Sequence, residues 1–156
     1  MQRFCHGIRM LVDSTRATAV METAIVAPVL AGVAIGTIDV SRWAAAKLNV
    51  QQGINRGLEM AMIKGPGTST STVEDEAEAQ AGSGSTASAR HYQYCGSSTT
   101  EVTWGSSCSG QEIRKFMSIT LTKDFRPSFA MGVLARRYAD QNGNIPITAT
   151  GVIRIA

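Results

Sequence analysis

The chain has 156 residues, a formal net charge of +3 and 44% hydrophobic residues, of which few are aromatic. That length allows one modest domain plus an extra element. The basic residues are scattered rather than interleaved with aromatics, which argues against a nucleic-acid surface, and no nucleic-acid partner is expected.

Arg3, Arg9 and Arg16 lead the chain, opposed only by Asp13. An apolar run follows from Ala17 to Ile38, twenty-two residues whose only charge is Glu22. As a helix it spans about 33 Å, the thickness of a bilayer's hydrocarbon core. The basic flank places the amino end in the cytoplasm and the remainder outside. Pro28, Gly32 and Gly36 are tolerable in a membrane helix. A water-soluble core helix is disfavoured, because the run is apolar on every face. A cleaved secretory signal is the other alternative. Glu22 interrupts its apolar region, and "RWAAAK" is the only plausible cleavage zone.

Past Asp39 the pattern becomes two-sided. Val40, Trp43, Val50, Ile54, Leu58 and Ala61 form an apolar seam at helical spacing, interrupted by Lys47. Gly53 and Gly57 each weaken a helix by about 1 kcal/mol relative to Ala. Lys64-Gly65-Pro66-Gly67 ends it. One helix over residues 18–63, about 69 Å long, is expected.

The segment 64–89 reads as a linker holding a short acidic helix, Val73–Ala81, capped by Ser71 or Thr72. A calcium site from Glu74, Asp75, Glu76 and Glu78 lacks the loop spacing and turn glycine, so a solvated acidic face is expected. Residues 90–156 read as a β-rich domain. Its expected strands are Arg90–Cys95, Thr99–Trp104, Ile113–Thr122 and Ile145–Ile155, with Met117, Ile119 and Leu121 on one face. Phe129–Tyr138 reads as a short helix or loop, and Asn142-Gly143-Asn144 as a turn. If the apolar run crosses a membrane, Cys5 lies on the reducing side and Cys95 and Cys108 on the oxidising side. A Cys95–Cys108 disulfide then follows, two separate thiols being the alternative. No metal-ligand spacing accompanies them, and no cofactor is expected. The fold class is α+β: a long amino-terminal helix, membrane-spanning over its first half, then a small antiparallel sheet.

Two histidines, His6 and His91, no Gly-x-Ser-x-Gly elbow and no phosphate-cradling loop give no basis for an enzyme. A hydrolase using His91 with a nearby serine is the weakest reading.

The stretch "RATAVMETAIVAPVLAGVAIGTIDVSRWAAAKLNVQQGINRGLEMA" resembles the amino-terminal region of TadE-like minor pseudopilins of the tight-adherence (Tad) type IV pilus system. The matching pieces are the basic leader, Glu22 at the fifth position after a small residue, Ala24-Ile25-Val26-Ala27-Pro28, and Gly36-Thr37-Ile38-Asp39-Val40-Ser41-Arg42. The strands "SITLTKDFRPSF" and "IPITATGVIRIA" are similar to the family's terminal strands. Two positions depart from the pattern: Ala17, where glycine is commoner, and Thr23, where an aromatic is usual.

The resemblance implies a pilin-like fold and a cytoplasmic leader over residues 1–17, cut between Ala17 and Thr18 by a prepilin peptidase. It also implies that Glu22 sets register between subunits by meeting a freed Thr18 amine. The implied partners are pilin, other minor pseudopilins, the inner-membrane assembly platform and the lipid bilayer. The implied role is pilus assembly or initiation and surface adhesion, from a single-pass position with the carboxyl-terminal domain in the periplasm. An uncleaved, membrane-anchored adaptor or adhesin is the alternative.

Overall fold

The structure is a computed structural model describing residues 15–128 and 137–156, with side chains from residue 19 onward. The leader residues 1–14, with Cys5 and His6, and most of the expected Phe129–Tyr138 segment lie outside the described residues. The elements run α1 (Thr15–Lys64), a 3-10 turn (Gly65–Gly67), α2 (Thr70–Ala81), β1 (Ser85–Cys95), β2 (Ile113–Phe125) and β3 (Ile145–Arg154). The strands make one antiparallel sheet in the order β1-β2-β3. The fold is α+β, with a long apolar amino-terminal helix ahead of a small sheet.

α1 has 50 residues and continues through Pro28. It is about 75 Å long. Its carboxyl-terminal half lies on one face of the sheet, with α2 beside it. The core joins Ala46, Val50, Ile54 and Ala61 of α1 to Val73, Ala77 and Ala81 of α2 and to Met117, Ile119 and Leu121 of β2. The period-two alternation of β2 puts those last three on one face, as the sequence implies.

Gly53 and Gly57 explain why this packing is possible. A Cβ on Gly53 would meet the Ala77 carbonyl oxygen at 2.6 Å and Leu121 Cδ2 at 2.7 Å; one on Gly57 would meet Ile119 Cδ1 at 2.8 Å. Both glycines let α2 and the sheet approach the α1 backbone. Gly151 does the same from β3, where a Cβ would lie 2.5 Å from Ile54 Cγ2. What reads in isolation as weakened helix is a contact surface.

Several expectations are corrected. Val40 leaves the seam and is 52% exposed, whereas its neighbour Asp39 is fully buried. Lys47 does not break the packing, since it is exposed and its ammonium lies 5.4 Å from the Trp43 ring centroid. The acidic helix starts at Thr70, with Ser69 as its N-cap and no side-chain capping bond from it. The segment before residue 90 is more than a linker: α2 buries Val73, Ala77 and Ala81, and β1 begins at Ser85. The expected strand Thr99–Trp104 reduces to a single bridge between Gln93 and Val102. The Gln93 side chain displaces a ladder there: its Nε2 donates to the Ser106 carbonyl (2.9 Å), and its Oε1 accepts from the Gly105 N–H (3.1 Å).

Gly53→Ala should destabilise the detergent-solubilised full chain by about 1–3 kcal/mol, because overpacking outweighs alanine's better helix propensity. Gly32→Ala, with nothing within 4 Å of the added carbon, should be neutral or slightly stabilising. Denaturant midpoints of the two variants would decide between packing and propensity.

Candidate membrane and subunit-contact face

Among the described residues, the apolar stretch of α1 before Asp39 packs against no other element. Ile25 is 71% exposed and Val33 63%, with Val20, Met21, Val29 and Leu30 similarly open. The helix is long and apolar enough to cross a membrane, with a mean hydropathy of 1.9 over its best window. Its hydroxyls are satisfied internally: Thr23 donates to the Ala19 carbonyl (2.9 Å), Thr37 to Val33 (2.8 Å) and Ser41 to Thr37 (2.9 Å). In hydrocarbon such back-bonds remove the cost of an unpaired O–H.

Glu22 stands apart from this. It lies in a shallow groove with Thr23, Val26, Ala27 and Leu30 and makes no hydrogen bond or ion pair among the described residues. Ala17 and Thr18 lie within the helical backbone five and four residues before it, but their side chains are not among those described. The expected amine–carboxylate pairing therefore falls outside the described residues.

Asp39 is the second carboxylate of α1 and behaves oppositely. It is buried, and its Oδ1 accepts from the Ser128 N–H at 3.1 Å. Arg42, one turn on, lies 3.8 Å from the same oxygen and donates to the Ser128 hydroxyl. These two side chains tie the strand-to-strand connection after β2 to the helix at the point where it leaves its apolar half. Both residues fall within the Gly36–Arg42 motif, which by itself implies no role for them. The signal available was an Asp at one boundary of an apolar run with an Arg at i+3.

α2 turns its carboxylates on the free edge of β1. Glu78 Oε1 accepts from the Ala87 N–H and Glu74 Oε1 from the Ala89 N–H, each at 2.6 Å. Glu76 pairs with Arg56 of α1 at 3.4 Å. Glu74 and Glu78 thus cap unpaired strand donors, while Asp75 stays exposed as a solvated face would have it. The i, i+4 spacing of Glu74 and Glu78 matches the i, i+2 spacing of donors on a strand edge.

Beyond β1, Cys95 and Cys108 form a disulfide and close a loop of sequence separation 13. Chain-entropy reasoning gives such a link about 3 kcal/mol. His91 stacks on Trp104, centroids 4.4 Å apart at 22°, and its buried Nε2 has no hydrogen-bond partner among the described residues. Burial lowers its pKa below the ordinary 6.5. On the sheet face away from the helices, Tyr92 stacks on Phe116 at 5.5 Å. Beside them, threonine pairs Thr120–Thr150 and Thr122–Thr148 bond across the strands at 3.0 Å.

An exposed apolar helix half joined to a disulfide-tied α+β domain is the arrangement of a membrane-anchored protein. Residues 17–57 match the family model described as TadE-like protein, so α1 carries the TadE-like signature through its apolar half and into the glycine contacts. This points to a protein associated with the Tad pilus. No curated protein and no solved structure matches the chain.

Two outcomes test the domain's polar anchors. Asp39→Ala should cost about 1–3 kcal/mol, the penalty for an orphaned buried donor, and should raise protease sensitivity at Arg126; Asp39→Asn, which keeps an acceptor, should lose less. For His91, the folded chain prefers the neutral ring, so the unfolded chain binds more protons between the lowered native pKa and 6.5. Stability should therefore be unaffected by His91 above about pH 7 and should fall as pH drops through 6.5. His91→Phe should flatten that part of a thermal-melt series between about pH 7.5 and pH 5.

Proposed function

We propose that the chain is a minor pseudopilin of a Tad pilus, supporting its assembly or initiation and, through the pilus, surface adhesion. The observation that supports this most directly is the TadE-like match over a helix whose one acid in the apolar half, Glu22, has no partner within the chain's described residues. A carboxylate at the hydrocarbon boundary costs on the order of 1–3 kcal/mol, less near the interface, and such groups persist where a partner is supplied. On this reading a prepilin peptidase cuts between Ala17 and Thr18, and the new Thr18 amine or a neighbouring subunit's amine faces Glu22. The basic leader stays cytoplasmic and the disulfide-tied domain is periplasmic. The molecule packs with pilin and other pseudopilins above the inner-membrane assembly platform, and acts as a structural component rather than an enzyme.

Intact mass of membrane-extracted protein, with and without the peptidase, tests the processing step. Loss of residues 1–17 only when the peptidase is present is the expected result. Retention in both samples would instead favour an uncleaved anchored adaptor or adhesin, the reading to which the departures at Ala17 and Thr23 lend weight. Glu22→Ala should insert into membranes normally but co-purify with pilus subunits about tenfold less. Equal recovery would remove the register role from that carboxylate.

A further inference from the structure

The sheet has two edges, and the chain treats them differently. The edge of β1 is covered by Glu74, Glu78 and the Gln93-bonded loop. Among the described residues, nothing pairs with the edge of β3. Ile155 donates to the Lys115 carbonyl at 2.8 Å, so odd-numbered residues of β3 direct their backbone groups to β2 and even-numbered ones direct theirs outward. The outward donors are the N–H groups of Thr148, Thr150, Val152 and Arg154, and none is bonded among the described residues. Pro146 has no donor, and Arg154 is the only charge from Ile145 to Arg154. Val152 is 53% exposed. A long, uncharged open edge is a template for strand addition unless something occupies it.

Beside this edge runs a cleft of about 410 Å³ lined by Gln51, Ile54, Asn55 and Leu58 of α1 and by 149–152 of β3. The small residues Ala149 and Gly151 leave the space. A strand added to β3 would bond Thr148, Thr150 and Val152 along its backbone. Its alternate side chains would enter the cleft, apolar against Ile54 and Leu58 and polar against Gln51 and Asn55.

The position of the cleft on α1 names the kind of occupant. Leu58 lies 36 residues after Glu22, ten turns of a continuous helix, and Val40 lies midway at five turns. Glu22, exposed Val40 and the cleft therefore share one side of α1. A neighbour that meets Glu22 in the membrane is carried up the same side to the β3 edge. Antiparallel pairing of two β3 edges from identical copies needs a two-fold axis perpendicular to the sheet. That axis would reverse α1, which packs flat on the sheet, and point the two anchors in opposite directions.

We infer that the β3 edge is a strand-addition site for an uncharged, extended segment of a different membrane-anchored pilus subunit. It rests on the Tad-subunit reading above, deepening it by naming where the partner docks.

A photo-crosslinking residue at Val152 of the full chain in cells should capture another pilus subunit, and one at Ser88 on β1 should not. Thr150→Pro, which removes one outward donor and leaves the β2 ladder intact, should lower the Val152 cross-link about tenfold or more, with a thermal melt matching that of Thr150→Ala, which loses the same Thr120 hydroxyl bond but keeps the donor. Undiminished cross-linking in a folded Thr150→Pro chain would overturn the inference, and so would capture of a second copy of this chain. If Thr150→Pro fails to fold, the contrast between Val152 and Ser88 decides alone. A chain that co-purifies with pilus subunits yet gives no Val152 cross-link loses the docking edge and keeps the Tad reading. A chain that co-purifies with none loses both.

Discussion

The close approach of α2 and the sheet to a stripe of α1 that carries no side chains is the contact on which the carboxyl-terminal domain depends. α1 must serve two environments with one backbone. Its first half has to be apolar all round, because lipid offers nothing to a polar group. Its second half has only a narrow side facing the domain, and helix-on-helix contact at that width needs small residues. Gly53 and Gly57 supply them, and Ala77, Ala81 and Val73 fill the gap from α2. The roughly 1 kcal/mol of helix propensity lost at each glycine is offset by the apolar area that α2, Ile119 and Leu121 then bury. Gly151 repeats the device on β3, so α1 is approached closely from two directions by backbone rather than by side-chain tips.

A three-stranded sheet under one and a half helices cannot cover all its main-chain polar groups with other strands. The chain solves this on one side only. Glu74 and Glu78 are drawn onto the β1 edge, where their charge also deters pairing with a foreign strand. Gln93 performs the same service further along, turning what would be a fourth strand into a loop held by the Cys95–Cys108 link. On the β3 side the covering residues are absent from the described chain, and the strand carries threonine and valine where a guarded edge would carry charge.

Much of this was legible. The membrane-length run, the end of the helix at Gly65 and the core face of β2 follow from periodicity and composition, signals that one dominant environment imposes, and the disulfide pair follows from the redox side that such a run implies. The failures have a common physical cause. Asp39 and Val40 exchange places because a seam drawn through apolar residues cannot register a buried carboxylate satisfied by a backbone N–H 89 residues away. Glu74 and Glu78 of α2 read as solvated because their partners are backbone donors, which carry no sequence signature. Gly53 and Gly57 read as weak helix because the neighbour that requires them is distant in sequence. The strand Thr99–Trp104 was inferred from residue type alone, and a side-chain amide outcompeted the ladder.

The two acids of α1 show how the domain and the anchor are kept from competing. Asp39 and Glu22 are seventeen residues apart, which places them about 100° apart around the helix. Asp39 faces the domain and is matched there by Ser128 and Arg42, at the level where α1 emerges from its apolar half. Had the two carboxylates shared a side, a helix lying along the Glu22 side of α1 would meet the carboxyl-terminal domain at the level of Asp39. Instead, among the described residues, the side of α1 bearing Glu22 stays clear of the domain through Val40 and reaches the cleft beside β3. A neighbouring helix can then lie against Glu22 without displacing the connection that Asp39 holds, so the anchor's contacts and the domain's integrity are separable properties of one helix.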